Sequence, residues 1–349
     1  MDTHELYIQR CLELAVLAAG NVAPNPMVGA VLVHDHKITG EGYHRQYGMA
    51  HAEVNCINNV PEQFRHLIKE SILYVSLEPC NHVGKTPPCT DLIIKHEIPT
   101  VVIACTDPFE KVNGSGIKKL LDVGVNVITG VQEAAAIELN KRFFTFHKKQ
   151  RPYIILKWAQ SSNKKIANAD HSRVIISNEQ TSRLVHKWRA EEAAIMVGTR
   201  TALYDDPSLT TRLWPGNDPV RIVVDKELKL PADLHLFDNS VQTIILNTIK
   251  QEENNNNSYC RISEGENIIN STLDILYKRN LTSMIVEGGT ILLQSFIDAG
   301  CWDEVRLITN KNLLIENGIA APLLKNSMLI KKEQLLEDEI CFYKNADAS

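Results

Sequence analysis

Twice along this chain, short apolar runs alternate with segments of helical periodicity, and the two series are separated by a basic break, "HKKQRP" at 147–152. In the first series the runs are "VGAVLV" (28–33), "ILYVSL" (72–77), "TVVIAC" (100–105) and "VNVIT" (125–129), with helices expected at 51–60, 89–96, 115–123 and 132–147. Tyr7, Cys11, Leu14 and Ala18 predict an opening helix, with Asp2 and Glu5 as a capping box and Gly20-Asn21 as its stop. Apolar strands alternating with helices fit an α/β domain whose sheet is largely parallel and covered. The second series runs through "YIILKWA", "RVIIS", a helix at 179–190, "AAIMVG", "VRIVVD", "QTIILN", "SMIVEGG" and "EVRLIT". Two domains are expected, at 1–147 and 152–345, as a length of 349 residues favours. The polar stretch "KQEENNNNSYC" (250–260) reads as a flexible surface loop, and no repeat of roughly 20 to 50 residues marks a solenoid.

Composition narrows the setting. No apolar run reaches the roughly 20 residues of a membrane span, and "MDTHELYIQR" lacks the pattern of a signal peptide, so the expectation is a cytoplasmic protein with no membrane partner. A net charge of -5 speaks against broad nucleic-acid binding, which needs many cations on phosphates. Eight cysteines in a reducing compartment are thiols, and a paired arrangement among them points to a metal or to catalysis.

One such arrangement stands out. "HAEV" at 51–54 is followed by "EPCNHVGKTPPC" at 78–89, giving His51, Glu53, Cys80 and Cys89. A His, a Glu two residues on, and then Pro-Cys with a second Cys is the zinc-deaminase signature. One imidazole and two thiolates leave a fourth tetrahedral position for water, the mark of a catalytic zinc, here one ion per chain. The metal brings that water's pKa toward about 7, and a carboxylate that is not a ligand, Glu53, carries protons to the ring and to departing ammonia. Helix starts at 51 and 89 favour ionised thiols. Cys11, Cys56, Cys105, Cys260, Cys301 and Cys341 read as small hydrophobes. His34, His36 and His44 read as surface or loop residues, while His82, inside the cysteine loop, is placed to meet a ligand.

On these residues a resemblance can be stated. "PNPMVGAVLV", "GEGYHRQYGMAHAEV", "LEPCNHVGKTPPC" and "DPFEKVNGSGIKKLLDVGVNV" resemble the N-terminal half of the bifunctional riboflavin-biosynthesis deaminase-reductase family, whose long cysteine loop differs from the Pro-Cys-x-x-Cys of nucleoside and tRNA deaminases. The resemblance spans nearly the whole chain. It implies a cytidine-deaminase-like zinc domain that removes the 2-amino group of a phosphoribosylated diaminopyrimidine, with Asn25 reading the pyrimidine edge and Lys85 meeting the ribose phosphate. Asn25 also suits a turn before Pro, and Lys85 also suits a solvated loop.

"VHKWRAEEAAIMVGTRTALYDDPSLTTR" (185–212), "PVRIVVD" (219–225) and "IVEGGTILLQSFIDAG" (285–300) resemble the dihydrofolate-reductase-like domain of the same family. That implies NADPH as cofactor and reduction of a ribosyl group to ribityl. By position, Arg189, Leu209, Arg212 and Glu287 fall on substrate contacts, and Ala159, Thr201, Asp205, Gly289, Thr290, Ile291 and Leu292 on cofactor contacts. Arg183 and Arg200 read as solvated. "EGGT" also fits anion binding, since glycines let backbone approach a phosphate at a helix start. The chain departs from the family at "SSNKK" (161–165), where Ser-x-Asp-Gly before a basic residue is usual, at Arg173 in place of a small polar residue, and at Ile175 in place of an aromatic. A homo-oligomer is a further implication. Two alternatives compete: a tRNA or nucleotide deaminase with an unrelated second domain, and a zinc protein whose reductase half has decayed.

Overall fold

The computed structural model divides into two units, 1–150 and 151–349. It describes residues 3–83, 87–110, 112–254 and 256–347; Asp2 of the expected capping box and Lys85 lie outside them. The first unit runs α1 (Thr3–Val16), β1 (Gly29–His34), β2 (Lys37–Tyr43), α2 (Ala52–Asn58), β3 (Ile72–Val75), α3 (Cys89–Lys95), β4 (Thr100–Ile103), α4 (Ser115–Asp122), β5 (Asn126–Thr129), α5 (Glu133–Leu139) and α6 (Lys141–Lys149). Its sheet has the order β2-β1-β3-β4-β5, with β3, β4 and β5 parallel and β1 antiparallel to both neighbours.

Alternation along the strands feeds two cores. Val31, Val33, Tyr74 and Val102 pack with α1, α5 and α6 on one face, whereas Ala30, Leu32, Leu73 and Val101 pack with α2, α3 and α4 on the other. Burying each such side chain contributes about 1.5–3 kcal/mol, so a sheet apolar on both faces is stable only between two helical layers. Strand β2 was not evident from "KITGEGY", whose glycines disguise it. A Cβ at Gly42 would sit 2.2 Å from the Cys56 backbone nitrogen, so glycine there lets α2 lie directly against the strand. The helix expected over 132–147 is two helices. They break at buried Asn140, whose side chain accepts from Met27 N at 2.8 Å and donates to Met27 O at 2.9 Å.

The second unit runs β6 (Tyr153–Ser161), β7 (Lys165–Asn168), α7 (Glu179–Glu191), β8 (Ala194–Val197), α8 (Thr199–Asp205), β9 (Val220–Val224), β10 (Thr243–Asn247), β11 (Glu252–Asn254), β12 (Asn257–Arg261), α9 (Ile268–Lys278), β13 (Ser283–Val286), α10 (Thr290–Asp298), β14 (Glu304–Asn310), β15 (Gly318–Ala320), β16 (Ser327–Leu335) and β17 (Asp338–Asn345). One sheet has the order β11-β12-β10-β9-β8-β13-β6-β14-β17-β16, parallel from β12 to β14 and antiparallel at both ends. Strands β7 and β15 pair separately.

Two expectations fail here. "RVIIS" is not a strand: β6 and β17 already occupy both edges of β14, and the segment instead runs as a connection with Ile176 buried and its carbonyl bound by Asn310 Nδ2 at 2.7 Å. "KQEENNNNSYC" is more than a loop: its described residues include β11 and β12, and β12 extends the parallel ladder, pairing Thr243 with Asn257 and Leu246 with Cys260. Backbone pairing and the buried Cys260 outweigh the polar composition of the segment. No helix among the described residues is long and apolar enough to cross a membrane.

Candidate active site

In the first unit the zinc-type residues converge from two helix starts. His51 caps α2 in extended backbone and makes no capping bond with its side chain. Its Nδ1 lies 3.6 Å from Cys80 Sγ and 3.3 Å from Cys89 Sγ. Cys89 opens α3, and its backbone N–H, one of the donors a helix start leaves unpaired, points to Cys80 Sγ at 3.3 Å. The three ligand atoms lie within 4.8 Å of one another. Tetrahedral zinc with ordinary Zn–S and Zn–N bonds sets N and S about 3.5 Å apart, so the spacing and the donor set both fit that ion. The hydrogen bond from the Cys89 thiol, with help from His51, holds Cys80 well below the usual thiol range; the same bond and burial push Cys89 up. The Cys80 hydrogen bond raises His51.

Glu53 lies in the first turn of α2 and is 3 % exposed. Burial pushes its carboxyl up from the usual range, against the pull of His51. Glu78, from the same "EPC" segment, is a structural anchor. Its buried carboxylate accepts from Asp107 N, Gly114 N, Gly116 N and Ile117 N at 3.2, 2.9, 2.9 and 3.3 Å, tying the Cys80 loop to the start of α4.

Asn25 donates toward His44 Nε2 at 3.2 Å, and His44 Nδ1 meets the Ala50 carbonyl at 3.1 Å. A carbonyl only accepts, so Nδ1 carries the proton and Nε2 of the neutral ring receives the Asn25 amide. The Asn25 carbonyl oxygen has no protein partner among the described residues. His44, read as a surface or loop residue, lies in the loop after β2 but is 2 % exposed, with its ring 5.4 Å from that of His51. His82 has a buried Nδ1 without a partner and packs its ring edge-on to Phe109. Of the six other cysteines, Cys301 alone is partly exposed.

In the second unit Lys157 on β6, Arg189 on α7 and Glu287 just after β13 form a largely buried ion cluster. Glu287 accepts from Arg189 Nε and a terminal nitrogen at 2.9 and 2.8 Å, and from Lys157 Nζ at 3.3 Å. Burial alone would raise Glu287, but Arg189 and Lys157 outweigh it and hold the carboxyl at about 2. Burial in turn lowers Lys157. Helices α8 and α10 follow the adjacent strands β8 and β13, begin after Gly198 and Gly289, and carry no side-chain cap. Thr201 Oγ1 accepts from Gly289 N at 3.1 Å, which ties the two starts together. Thr290 hydroxyl donates to the Ala320 carbonyl. Asp205 ends α8; burial raises its carboxyl against Arg173 and His171. Ile291 is exposed, Leu292 half-buried and Ala159 half-buried on β6. Leu209 is buried with φ +55°, a strained backbone for a branched residue, and Arg212 is exposed three residues on.

Two family models match this chain: "Cytidine and deoxycytidylate deaminase zinc-binding region" over residues 1–105 and "RibD C-terminal domain" over 152–314. A curated riboflavin biosynthesis protein RibD from Aquifex aeolicus is 37% identical, over 97% of each chain. The chain belongs to the RibD family. Among solved structures, a Thermotoga maritima diaminohydroxyphosphoribosylaminopyrimidine deaminase/5-amino-6-(5-phosphoribosylamino)uracil reductase superposes with a TM-score of 0.89 at 32% identity, covering 98% of this chain and 99% of that one. Acinetobacter baumannii RibD gives 0.90 at 28% identity, covering 98% of each. As a RibD-family member the chain is a two-domain enzyme of riboflavin biosynthesis, a zinc-type deaminase joined to a reductase. Neither alternative reading finds support.

Against the family pattern, the turn at 161–165 survives by other means. Lys164, at the usual glycine position, adopts φ +60°. Asn163 donates to the Ile315 carbonyl at 2.9 Å and accepts from Ile315 N at 3.3 Å and from Ser161 Oγ at 2.6 Å. Only an amide can serve both groups of Ile315; an ionised Asp would face the carbonyl. Arg173 and Ile175 are exposed. The sequence reading missed Lys157 and His44. A lysine inside "YIILKWA" was the available signal, since a charge in an otherwise buried strand needs a partner.

Proposed function

We propose that this RibD-family chain removes the 2-amino group of 2,5-diamino-6-(5-phosphoribosylamino)pyrimidin-4(3H)-one as ammonia, and then reduces the ribosyl group of 5-amino-6-(5-phosphoribosylamino)uracil to ribityl with NADPH. The observation that carries the reading is the convergence of His51, Cys80 and Cys89 beside the buried Glu53, in a chain whose other half centres on Lys157, Arg189 and Glu287.

His51, Cys80 and Cys89 are the three ligands of one zinc ion. When bound, zinc supplies a water acidic enough to ionise near pH 7. Glu53 is the proton carrier. Its raised pKa lets it take a proton and return it to the ring nitrogen and the leaving amine, which an ordinary surface glutamate does poorly near neutrality. Asn25, fixed by His44, turns its free carbonyl oxygen to the pyrimidine's N–H donors, and His82 and Lys85 meet the rest of the substrate.

NADPH, when bound, supplies hydride. Ala159, Thr201, Asp205, Gly289, Thr290, Ile291 and Leu292 hold it. Leu209, Arg212 and Glu287 face the sugar-bearing substrate, and Lys157 and Arg189 keep Glu287 ionised. Eight free cysteines support a reducing cytoplasm as the working compartment, and we assign a homo-oligomer on the family resemblance. The test is to incubate zinc-loaded full-length protein with the diaminopyrimidine and to follow ammonia release and NADPH oxidation separately. Both signals are expected; absence of ammonia would sink the deaminase half, and absence of NADPH oxidation the reductase half.

A further inference from the structure

Four contacts in the second unit close a ring around the starts of α8 and α10. Gly289 N donates to Thr201 Oγ1, joining the two helices, and the Thr290 hydroxyl donates to the Ala320 carbonyl at the end of β15. Strand β15 pairs with β7, flanked by Ala169 N donating to the Asn317 carbonyl at 2.8 Å and Ala321 N to the Lys164 carbonyl at 2.9 Å. The chain then turns, with Asp170 accepting from Ser172 N at 2.9 Å and His171 at φ +62°, and the His171 ring lies flat on Tyr204 of α8. Their centroids are 4.0 Å apart and their planes 7° from parallel. Thr201, Gly289 and Thr290, all expected to touch the cofactor, lie on this circuit. Asp205 stands beside its last link, where Arg173 and His171 both act on its carboxyl.

The last link is unlike the other three. Those are made by hydrogen bonds, two of them with backbone on both sides of the strand pair, whereas His171 and Tyr204 meet only through their rings. Both residues are exposed, and neither side chain makes a hydrogen bond or ion pair among the described residues. From Ala169 to Ile175 every residue but Val174 is exposed, so little burial holds the segment down, and such segments are the first to open. An aromatic pair is a modest contact that forms and parts without leaving a buried polar group unpaired.

We propose that the His171–Tyr204 stack is the clasp of this ring: closed, it holds the 169–177 connection across the bound nucleotide cofactor, and parted, it lets the cofactor leave. The inference rests on the proposed reductase reaction and adds to it two positioning residues, which set how long NADPH stays and take no part in hydride transfer.

Release of NADPH from full-length protein, chased with excess NADP+ and followed by NADPH fluorescence, tests this beside single-turnover oxidation with 5-amino-6-(5-phosphoribosylamino)uracil. His171→Ala and Tyr204→Ala are each expected to speed release by about two- to tenfold, the range an aromatic pair accounts for, with the hydride-transfer rate at saturating NADPH unchanged. The double variant should release no faster than either single one, because each change removes the same contact, and Tyr204→Phe, which keeps the ring, should match wild type. Wild-type release rates in both alanine variants, or effects that add in the double variant, overturn the clasp. Wild-type protein that binds no NADPH overturns the reductase reading and the clasp with it; wild-type protein that binds NADPH without oxidising it fails the reaction alone, and the release rates still decide the clasp.

Discussion

Glu287 is an acid that the fold keeps charged inside a wall of apolar strands. Burial opposes its ionisation, yet Arg189 and Lys157 hold its pKa at about 2, below the ordinary 4.5. A depressed carboxylate stabilises the folded state above its unfolded pKa, and that contribution is lost as pH falls through 4.5 toward 2. Trp158, Trp188, Trp214 and Trp302, the four tryptophans of the chain, all belong to the second unit, so their fluorescence reports its unfolding. Urea titrations read this way should show stability falling over that acid window. Glu287→Gln leaves two buried cations unpaired and should cost about 3–5 kcal/mol at neutral pH. Equal midpoints for variant and wild type would show that the cluster is solvated and its partners dispensable. Most of this residue-scale detail was not legible beforehand. Glu287 and Arg189 could be placed by resemblance, but their pairing with each other and with Lys157 arises from two strands and a helix far apart in sequence.

At the scale of elements, two turns decide how the sites are held. The 161–165 turn keeps left-handed geometry with Lys164 at φ +60°, where a side chain costs roughly 1–2 kcal/mol and glycine would itself lose about 0.5–1 kcal/mol of unfolded-state entropy. Lys164→Gly should therefore stabilise the second unit by up to about 1 kcal/mol, whereas Asn163→Asp should destabilise it by about 1–3 kcal/mol by facing the Ile315 carbonyl with an acceptor. The same tryptophan-detected titrations separate the two signs. In the first unit, a Cβ on Gly116 would lie 2.1 Å from the Pro79 carbonyl oxygen, one residue before the proposed ligand Cys80. Gly116→Ala should push the cysteine loop, with Glu78, off the start of α4 and lower retained zinc, read as metal content after dialysis against a weak chelator; full retention would show that the loop is held without this contact. Strands and helices with clean periodicity were legible, among them β3, β4, α3 and α4. Those that escaped have physical reasons: β2 is glycine-rich because α2 lies against it, and β12 is polar because its strength comes from backbone pairing on both sides, to β10 and β11.

At the scale of the molecule, two α/β sheets each present chemistry near strand and helix ends, and each unit carries one half of the proposed reaction sequence. The zinc quartet was the most legible part of the candidate site, because four residue types with fixed chemical duties occur at two short motifs. The reductase site was less so, since a domain that orients a cofactor needs no acid-base signature of its own. The central claim is that Glu53 serves the deamination and nothing else. Full-length Glu53→Gln, assayed for ammonia from the diaminopyrimidine, for zinc content, and for NADPH oxidation with the already deaminated uracil, tests it most directly. The account predicts ammonia release lost by at least a hundredfold, in line with general acid–base catalysis, with zinc retained at one ion per chain and NADPH oxidation unchanged. Ammonia release at the wild-type rate from the zinc-loaded variant would contradict it.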